Sequence, residues 1–182
     1  QNNDSGVNYN TAVGYAAAGG LTSGIQNTAV GSLSLDATVT GNDNTSVGYQ
    51  AMSTNTSGYE NTGLGKGALY TNAAGIRNTA VGKGALYTNG DSSYSTAVGY
   101  NALFANTSGN YNTAVGSAAL TATQTVNHNT AVGYSAATAT TAASNTAVGS
   151  NSLLNNISGG YNTAMGHNAL EDNTAAANNA FG

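Results

Sequence analysis

The apolar and polar positions of this chain repeat with a period of 17 residues, and each repeat contains the motif Asn-Thr-Ala-Val-Gly or a close variant of it. The steps between successive motif glycines are 17 residues seven times running, followed by 16, 17 and 16. A short and strict period is typical of solenoids, in which every repeat forms one coil. The motif glycines are Gly14, Gly31, Gly48, Gly65, Gly82, Gly99, Gly116, Gly133, Gly149, Gly166 and Gly182.

The order of residues inside the motif predicts a short β-strand. Side chains alternate along a strand, so Thr113 and Val115 share one face, whereas Asn112, Ala114 and Gly116 share the other. An Ala-Leu pair follows, which predicts a further strand or bend, and then a polar loop rich in Asn, Ser and Gly. We therefore expect an all-β fold in which residues 1–182 form a single parallel β-solenoid (β-roll) domain. It has about ten coils, each ending near a motif glycine, stacked about 4.8 Å apart.

Columns of residues one repeat apart predict the core, because such residues become neighbours when coils stack in register. We take a valine column and a leucine column as the core of the coil. The valine column contains Val13, Val30, Val47, Val81, Val98, Val115, Val132 and Val148, with Leu64, Met165 and Phe181 in the same register. The leucine column contains Leu35, Met52, Leu69, Leu86, Leu103, Leu120, Leu153 and Leu170, interrupted by Ala137.

Three polar or small columns complete the repeat. Threonine fills the position after the motif asparagine, and the asparagine column itself is broken only by Ser95. Stacked asparagine amides hydrogen-bond along a ladder, so we interpret these asparagines, and a partial second ladder that includes Asn55 and Asn106, as structural. The alanine column lies opposite valine, where small side chains would let another backbone approach. Either the valine face or the alanine face can then point toward a neighbouring chain.

Composition narrows the classes of function. The chain has 25 glycines, no proline, no cysteine, 5% charged residues and a net charge of −4. Disordered chains usually carry more charge and proline than this, and three basic residues give no footprint for nucleic acid. There is no apolar run long enough to span a bilayer, so we expect no membrane insertion of this segment. Because the chain begins without Met, we expect it to be a fragment or a processed product.

Charged and aromatic residues also fall into columns. Glu60 and Arg77 occupy the same position in successive coils, which predicts an ion pair between them. Lys66 and Lys83 likewise stack on each other, in the same column as Tyr49.

A third column contains Tyr70, Tyr87 and Phe104 in three consecutive coils. Flat aromatic rings near polar loops suit sugar rings, and exposed apolar patches often mark binding sites. We take these three residues, together with Lys66 and Lys83, as the candidate ligand contact. In the alternative interpretation, the three rings cover the leucine column or fill a groove between chains.

No group of residues predicts catalysis, metal binding or a cofactor. His128 and His167 lie in different columns and more than two coils apart, so they do not form a metal pair. Glu171 and Asp172 form an acidic pair that we interpret as a solvated turn. Carboxylates at the spacing of a calcium loop are missing, and the acidic residues are scattered over loops. We therefore expect that the chain is not an enzyme.

The repeat Asn-Thr-Ala-Val-Gly-x-x-Ala-Leu, with Asn-Thr-Ser-Gly loops as at residues 55–58 and 106–109, resembles repeats of phage tail fibres and large bacterial surface fibres. It is also similar to the Ser-Val-Ala-Ile-Gly repeat of trimeric autotransporter adhesin heads. The resemblance covers about residues 5–182. It implies a left-handed β-roll packed as a homotrimer about a threefold axis, outside the cell, on a cell surface or a virion tail fibre. The unit of this chain is longer than the adhesin-head repeat.

These observations lead to one expected function and several alternatives. We expect a structural or adhesive fibre segment that displays variable loops, with a surface glycan or protein of a host or prey organism as the attachment partner. An ice-binding β-solenoid is disfavoured, because its threonine array shares a face with valine, which we place inside. A fibre-borne glycan-processing enzyme would need paired carboxylates. A functional amyloid would grow without closed symmetry.

Overall fold

The structure, a computed structural model, describes residues 9–37 and 39–182, so the part of the predicted domain at residues 1–8 lies outside the described residues. It is an all-β parallel solenoid without helix in the described ranges. One sheet of 11 strands runs along it in sequence order. The strands are β1 Thr11–Val13, β2 Thr28–Val30, β3 Thr45–Val47, β4 Thr62–Leu64, β5 Thr79–Val81, β6 Thr96–Val98, β7 Thr113–Val115, β8 Thr130–Val132, β9 Thr146–Val148, β10 Thr163–Met165 and β11 Asn179–Phe181.

Every strand pairs in parallel with the strand of the next coil, in register with the sequence repeat. Thr96 pairs with Thr113, and Val98 pairs with Val115. The register is kept across the shorter 16-residue steps as well, since Val132 pairs with Val148. The parallel β-solenoid predicted from the repeat is therefore confirmed. The Ala-Leu segment forms turns rather than a second strand.

The core of each coil is narrow. The alanine of each complete central strand is fully buried, as at Ala97, Ala114 and Ala131. The leucine column fills the middle of the coil from Leu35 to Leu153 without solvent exposure. Burial of one such leucine is worth about 1.5–3 kcal/mol. The predicted core residues Leu69, Leu86, Leu103 and Leu120 all belong to this cluster.

The valine column does not lie in this core, and our prediction for it is wrong. Val13 is 58% exposed and Val98 is 36% exposed, while the other valines of the column are exposed or half-buried on the same outer face. Alternation along the strand is as predicted, but the alanine side faces inward, because the space between sheet and leucine turn admits only a small side chain. The valines concerned are Val13, Val30, Val47, Val81, Val98, Val115, Val132 and Val148.

Non-glycine residues in the left-handed backbone region recur along the coil and bend the chain back on itself. The core leucines have φ near +50°, for example 50° at Leu103 and 51° at Leu120. This conformation costs an ordinary residue about 1–2 kcal/mol. Complete burial of the leucine side chain offsets that cost.

The motif glycines form a column in which backbones of successive coils meet. Gly65 has φ +135°, and a Cβ added there would lie 2.6 Å from the carbonyl oxygen of Gly82. Another left-handed position lies two residues after each motif glycine, where Gly67 has φ 63° and Ala118 has φ 58°. Glycine is required at the first position by the close approach, but only favoured at the second.

The two glycine positions predict opposite effects of substitution. We expect Gly65→Ala to destabilise the fold by about 2 kcal/mol or more, because it combines backbone strain with a steric clash. Ala118→Gly should instead stabilise it by about 0.5–1 kcal/mol, because it relieves a left-handed alanine. Thermal denaturation followed by circular dichroism measures both. A Gly65→Ala protein that melts at the wild-type temperature would contradict this account of the glycine column.

The motif asparagines form the predicted ladder, with backbone partners as well as side-chain ones. The side-chain oxygen of each asparagine accepts the backbone N–H of the ladder residue one coil later at 2.8–3.1 Å. In six coils its amide nitrogen donates to a loop carbonyl 14 positions later at 2.7–2.9 Å. The ladder thus joins the sheet of one coil to the loop of the next.

A second ladder runs under the loops and ends at an unpaired atom. Asn72 donates to Asn55 at 2.9 Å and Asn89 donates to Asn72 at 2.6 Å, amide to amide. After Asn106 the column changes to Thr123, whose hydroxyl donates to the Thr140 carbonyl at 3.2 Å. The Asn106 side-chain oxygen and the Thr140 hydroxyl are then buried without a hydrogen-bond partner among the described residues.

Extending the second ladder by one rung should stabilise the protein. We expect Thr123→Asn to raise stability by about 1 kcal/mol, because the new amide can donate to Asn106 and accept from the Thr140 hydroxyl. Thr125→Asn is the matched control, since Thr125 is exposed in the same loop and should have no effect. Differential scanning calorimetry compares the two variants. A lower melting temperature for Thr123→Asn would contradict the expectation.

Candidate functional site

The outer face of the sheet is the largest regular surface of the molecule. Each strand turns its first and third side chains outward, so threonines and valines form two parallel files from coil to coil. We call this surface the Thr–Val face. Val115 and Val132 are 37% and 38% exposed, and Leu64 and Met165, in the same file, are 46% and 43% exposed. The face is therefore a strip of β-branched and apolar side chains open to solvent in the single chain.

One edge of the Thr–Val face is formed by the residue two positions before each strand. We call this column the leading flank, and its residues have φ near +55°, for example 57° at Glu60 and 55° at Arg77. The predicted Glu60–Arg77 ion pair is confirmed, with Nε 2.6 Å from Oε2. The leading flank contains Tyr9, Gln26, Asp43, Glu60, Arg77, Tyr94, Tyr111, His128, Ser144, Tyr161 and Ala177.

The leading flank continues from this ion pair as a row of stacked rings. Arg77 donates from Nη1 to the Tyr94 hydroxyl at 3.2 Å, and its guanidinium lies 5.7 Å from the centre of that ring. Tyr94 stacks on Tyr111 at 5.1 Å, and Tyr111 stacks on His128 at 5.1 Å with ring planes 1° apart. The coil spacing of the solenoid is what sets these ring separations.

The other edge is formed by the residue after each motif glycine, which we call the trailing flank. The Lys66 ammonium lies 5.5 Å from the centre of the Tyr49 ring, in the preceding coil. The Lys83 ammonium lies 5.4 Å from the centre of the Tyr100 ring, in the following coil. The two lysines thus turn away from each other. The trailing flank contains Tyr15, Ser32, Tyr49, Lys66, Lys83, Tyr100, Ser117, Tyr134, Ser150 and His167.

The candidate ligand contact divides into two separate arrangements. Tyr70, Tyr87 and Phe104 stack on one another at 4.8 Å and 5.1 Å with planes 7° and 6° apart, and all three are half-buried. Both faces of Tyr87 are covered by its neighbours. A sugar ring could stack only on the outer faces of Tyr70 and Phe104. The cations of Lys66 and Lys83 lie instead over the rings of the trailing flank.

The electrostatics of the leading flank favour full charge on both members of the ion pair. The hydrogen bond from Arg77 lowers the pKa of the Glu60 carboxyl, and the bond to Glu60 raises the pKa of Arg77. A general acid in glycoside hydrolysis needs the opposite shift, a raised carboxyl pKa. Glu60, on the one column with acids in adjacent coils, is therefore poorly suited to that role.

Other residues with chemical potential lie apart. In the described ranges, His, Cys, Asp and Glu side chains form no group of three or more that could hold a metal ion. His128 ends the ring row of the leading flank, whereas His167 lies on the trailing flank. Asp172 accepts a hydrogen bond from Asn155 at 2.7 Å, one coil away. The described chain also has no helix that is long and apolar enough to cross a membrane.

Comparison with protein-family models, with curated proteins and with solved structures finds no match for this chain.

Sequence reasoning missed the outward Thr–Val face and the ring row of the leading flank. The signal for the ring row was present, because Tyr94, Tyr111 and His128 occupy the same repeat position as Glu60 and Arg77. The orientation of the face had no such signal, since both sides of the strand carry apolar residues.

The stacked rings predict a structural role for Tyr87 that can be separated from ligand binding. We expect Tyr87→Ala to lower stability by about 1–3 kcal/mol, because it removes two stacking contacts together with buried area. Tyr87→Phe keeps both contacts and should melt like the wild type. Thermal denaturation of the three proteins measures the difference. Equal stability of Tyr87→Ala and wild type would show that the stack contributes nothing to the fold.

Proposed function

We propose that this chain is a structural and adhesive segment of an extracellular fibre, and that it assembles as a homotrimer around the Thr–Val face. The observation that carries the proposal is the exposure of the valine file in the single chain, between 36% and 58% at Val13, Val98, Val115 and Val132. Contiguous apolar strips of this kind mark protein–protein interfaces. The left-handed winding and the threefold axis implied by the resemblance belong to the same proposal.

The inside of the coil supports association through this face. The alanine side of the sheet is buried within the coil, so it is closed to a neighbouring chain. Each coil has a thin core of alanine and one leucine, and small cores of this kind gain stability from partners. Burying the valine file in an assembly would add apolar area to every coil at about 25 cal/mol per Å².

The dimensions of the face suit an interface between copies. Ten steps of about 4.8 Å give a length of about 48 Å, and a width from flank to flank of roughly 20 Å gives an area of roughly 1,000 Å². Stable interfaces bury about 800 Å² on each partner. The loops, such as residues 121–126 and 138–142, lie outside this face and are free to contact a surface glycan or protein of a host or prey organism. The proposal gives the chain no catalytic role.

The solution mass tests the proposal directly. We expect light scattering to give three times the chain mass of 17.9 kDa. Val115→Lys should convert the trimer to smaller species, because it places a charge in the apolar strip. Gln124→Lys is the matched control in an exposed loop and should leave the mass unchanged. A wild-type protein that is folded and monomeric would overturn the trimer.

A second candidate function, ice binding, gains support from the same face. We disfavoured it because valine was expected to lie inside, but the threonine and valine files both point outward in straight rows. The two candidates need different states of the face: covered by other copies in a trimer, and free in an ice-binding monomer. Thermal hysteresis measured on a monomeric protein would favour ice binding, and its absence there would remove this candidate.

A further inference from the structure

The charges of this chain are concentrated at the two edges of the Thr–Val face. The chain has three basic residues in total, and all three lie on the flanks: Lys66 and Lys83 on the trailing flank and Arg77 on the leading flank. Asp43 and Glu60 precede Arg77 on the leading flank, and all five residues are exposed. One edge is thus acidic over two coils, and the opposite edge is basic over two coils at nearly the same level.

The symmetry of an assembly decides which edges meet. In a parallel cyclic assembly around the Thr–Val face, the leading flank of one copy meets the trailing flank of the next at the same coil. In an antiparallel pair, each flank meets its own counterpart, and the levels are reversed. Opposite charges across an interface fix orientation and register, whereas like charges opposed there cost several kcal/mol. The charge pattern therefore favours the parallel arrangement.

We infer that Lys66 of one copy binds Asp43 and Glu60 of the neighbouring copy and thereby sets the parallel register of the assembly, an inference that rests on the proposed function. Glu60 and Lys66 stand at the two ends of the same strand, β4, so equivalent coils of two copies bring them together. The Lys66 ammonium leans over Tyr49 in the preceding coil, whose leading-flank residue is Asp43. Both carboxylates are then within reach of this one cation.

Lys83 has no such partner and serves as an internal comparison. The leading-flank residue at its level is Arg77, which is bound to Glu60 at 2.6 Å. The Lys83 ammonium turns toward Tyr100 and away from the Lys66 level. In the parallel assembly, reversing the charge of Lys83 would place a carboxylate beside the Arg77 guanidinium of the neighbouring copy. The two lysines are thus expected to respond in opposite ways to the same substitution.

The first experiment uses this contrast. In low-salt buffer, Lys66→Glu should lower the melting temperature of the assembly by a few degrees, whereas Lys83→Glu should leave it unchanged or raise it. Asp43→Lys combined with Lys66→Glu should restore the wild-type value, because it rebuilds the pair with reversed charges. Equal effects of Lys66→Glu and Lys83→Glu, or the lack of rescue, would overturn the seam.

The second experiment reads orientation without relying on stability. Ser144 lies on the leading flank and Ser150 on the trailing flank of the same strand, β9, and the chain contains no cysteine. With a short bis-maleimide, the double variant Ser144→Cys/Ser150→Cys should give covalent trimers. Each single variant should give no covalent dimer. Within one chain the two positions are roughly 20 Å apart, too far for the reagent.

The outcomes separate the seam from the proposed function. Covalent dimers from either single variant would show like flanks in contact and would contradict the parallel seam. A trimeric wild type with a Lys66→Glu variant of unchanged melting temperature would remove the seam and leave the fibre proposal standing. A monomeric wild type that no reagent links would remove both.

Discussion

Parallel stacking of coils in register is the constraint on which the rest of the structure depends. Each three-residue strand contributes few backbone hydrogen bonds by itself, and it is stable only because the next strand repeats it at the same position. Every residue then has its own counterpart above and below. A residue type persists in a column when it pairs well with itself. Glycine allows backbones to meet, asparagine amides join into ladders, and aromatic rings stack at the coil spacing.

The narrow interior explains why the smaller side chains point inward. The strand offers an alanine side and a threonine–valine side, and the leucine of the opposite turn already fills the middle of the coil. Only a small side chain fits between them. Valine is therefore left outside, where a single chain has nothing to cover it. An apolar strip along the whole sheet is thus a consequence of the interior packing, and it is the reason why we propose association between copies.

Periodicity made much of this fold predictable. The strands, their parallel register, the alternation of Thr113 and Val115 against Ala114, the asparagine ladders and the Glu60–Arg77 pair all follow from residues one repeat apart. The inward side did not follow, because alternation defines two faces and does not say which is buried. The left-handed leucines were equally hidden, since their conformation is imposed by the coil and opposes the preference of the residue. In the candidate site, the rings of Tyr70, Tyr87 and Phe104 came together as their column implied, whereas the lysines did not join them.

The irregular coils show which interactions keep the register. Side-chain nitrogens of Asn129 and Asn162 are buried without a hydrogen-bond partner among the described residues, and each precedes a coil of 16 residues. Deletion of one loop residue shifts the carbonyl that would accept the amide 14 positions later. Strand pairing nevertheless continues without a slip on both sides of the first short coil, from Val132 to Val148 and on to Met165. Strands and inward side chains therefore hold the register, while the loops can change length at the cost of single hydrogen bonds. A scaffold with this division of roles can vary its loops and keep its frame, as the display of variable loops on a fibre requires.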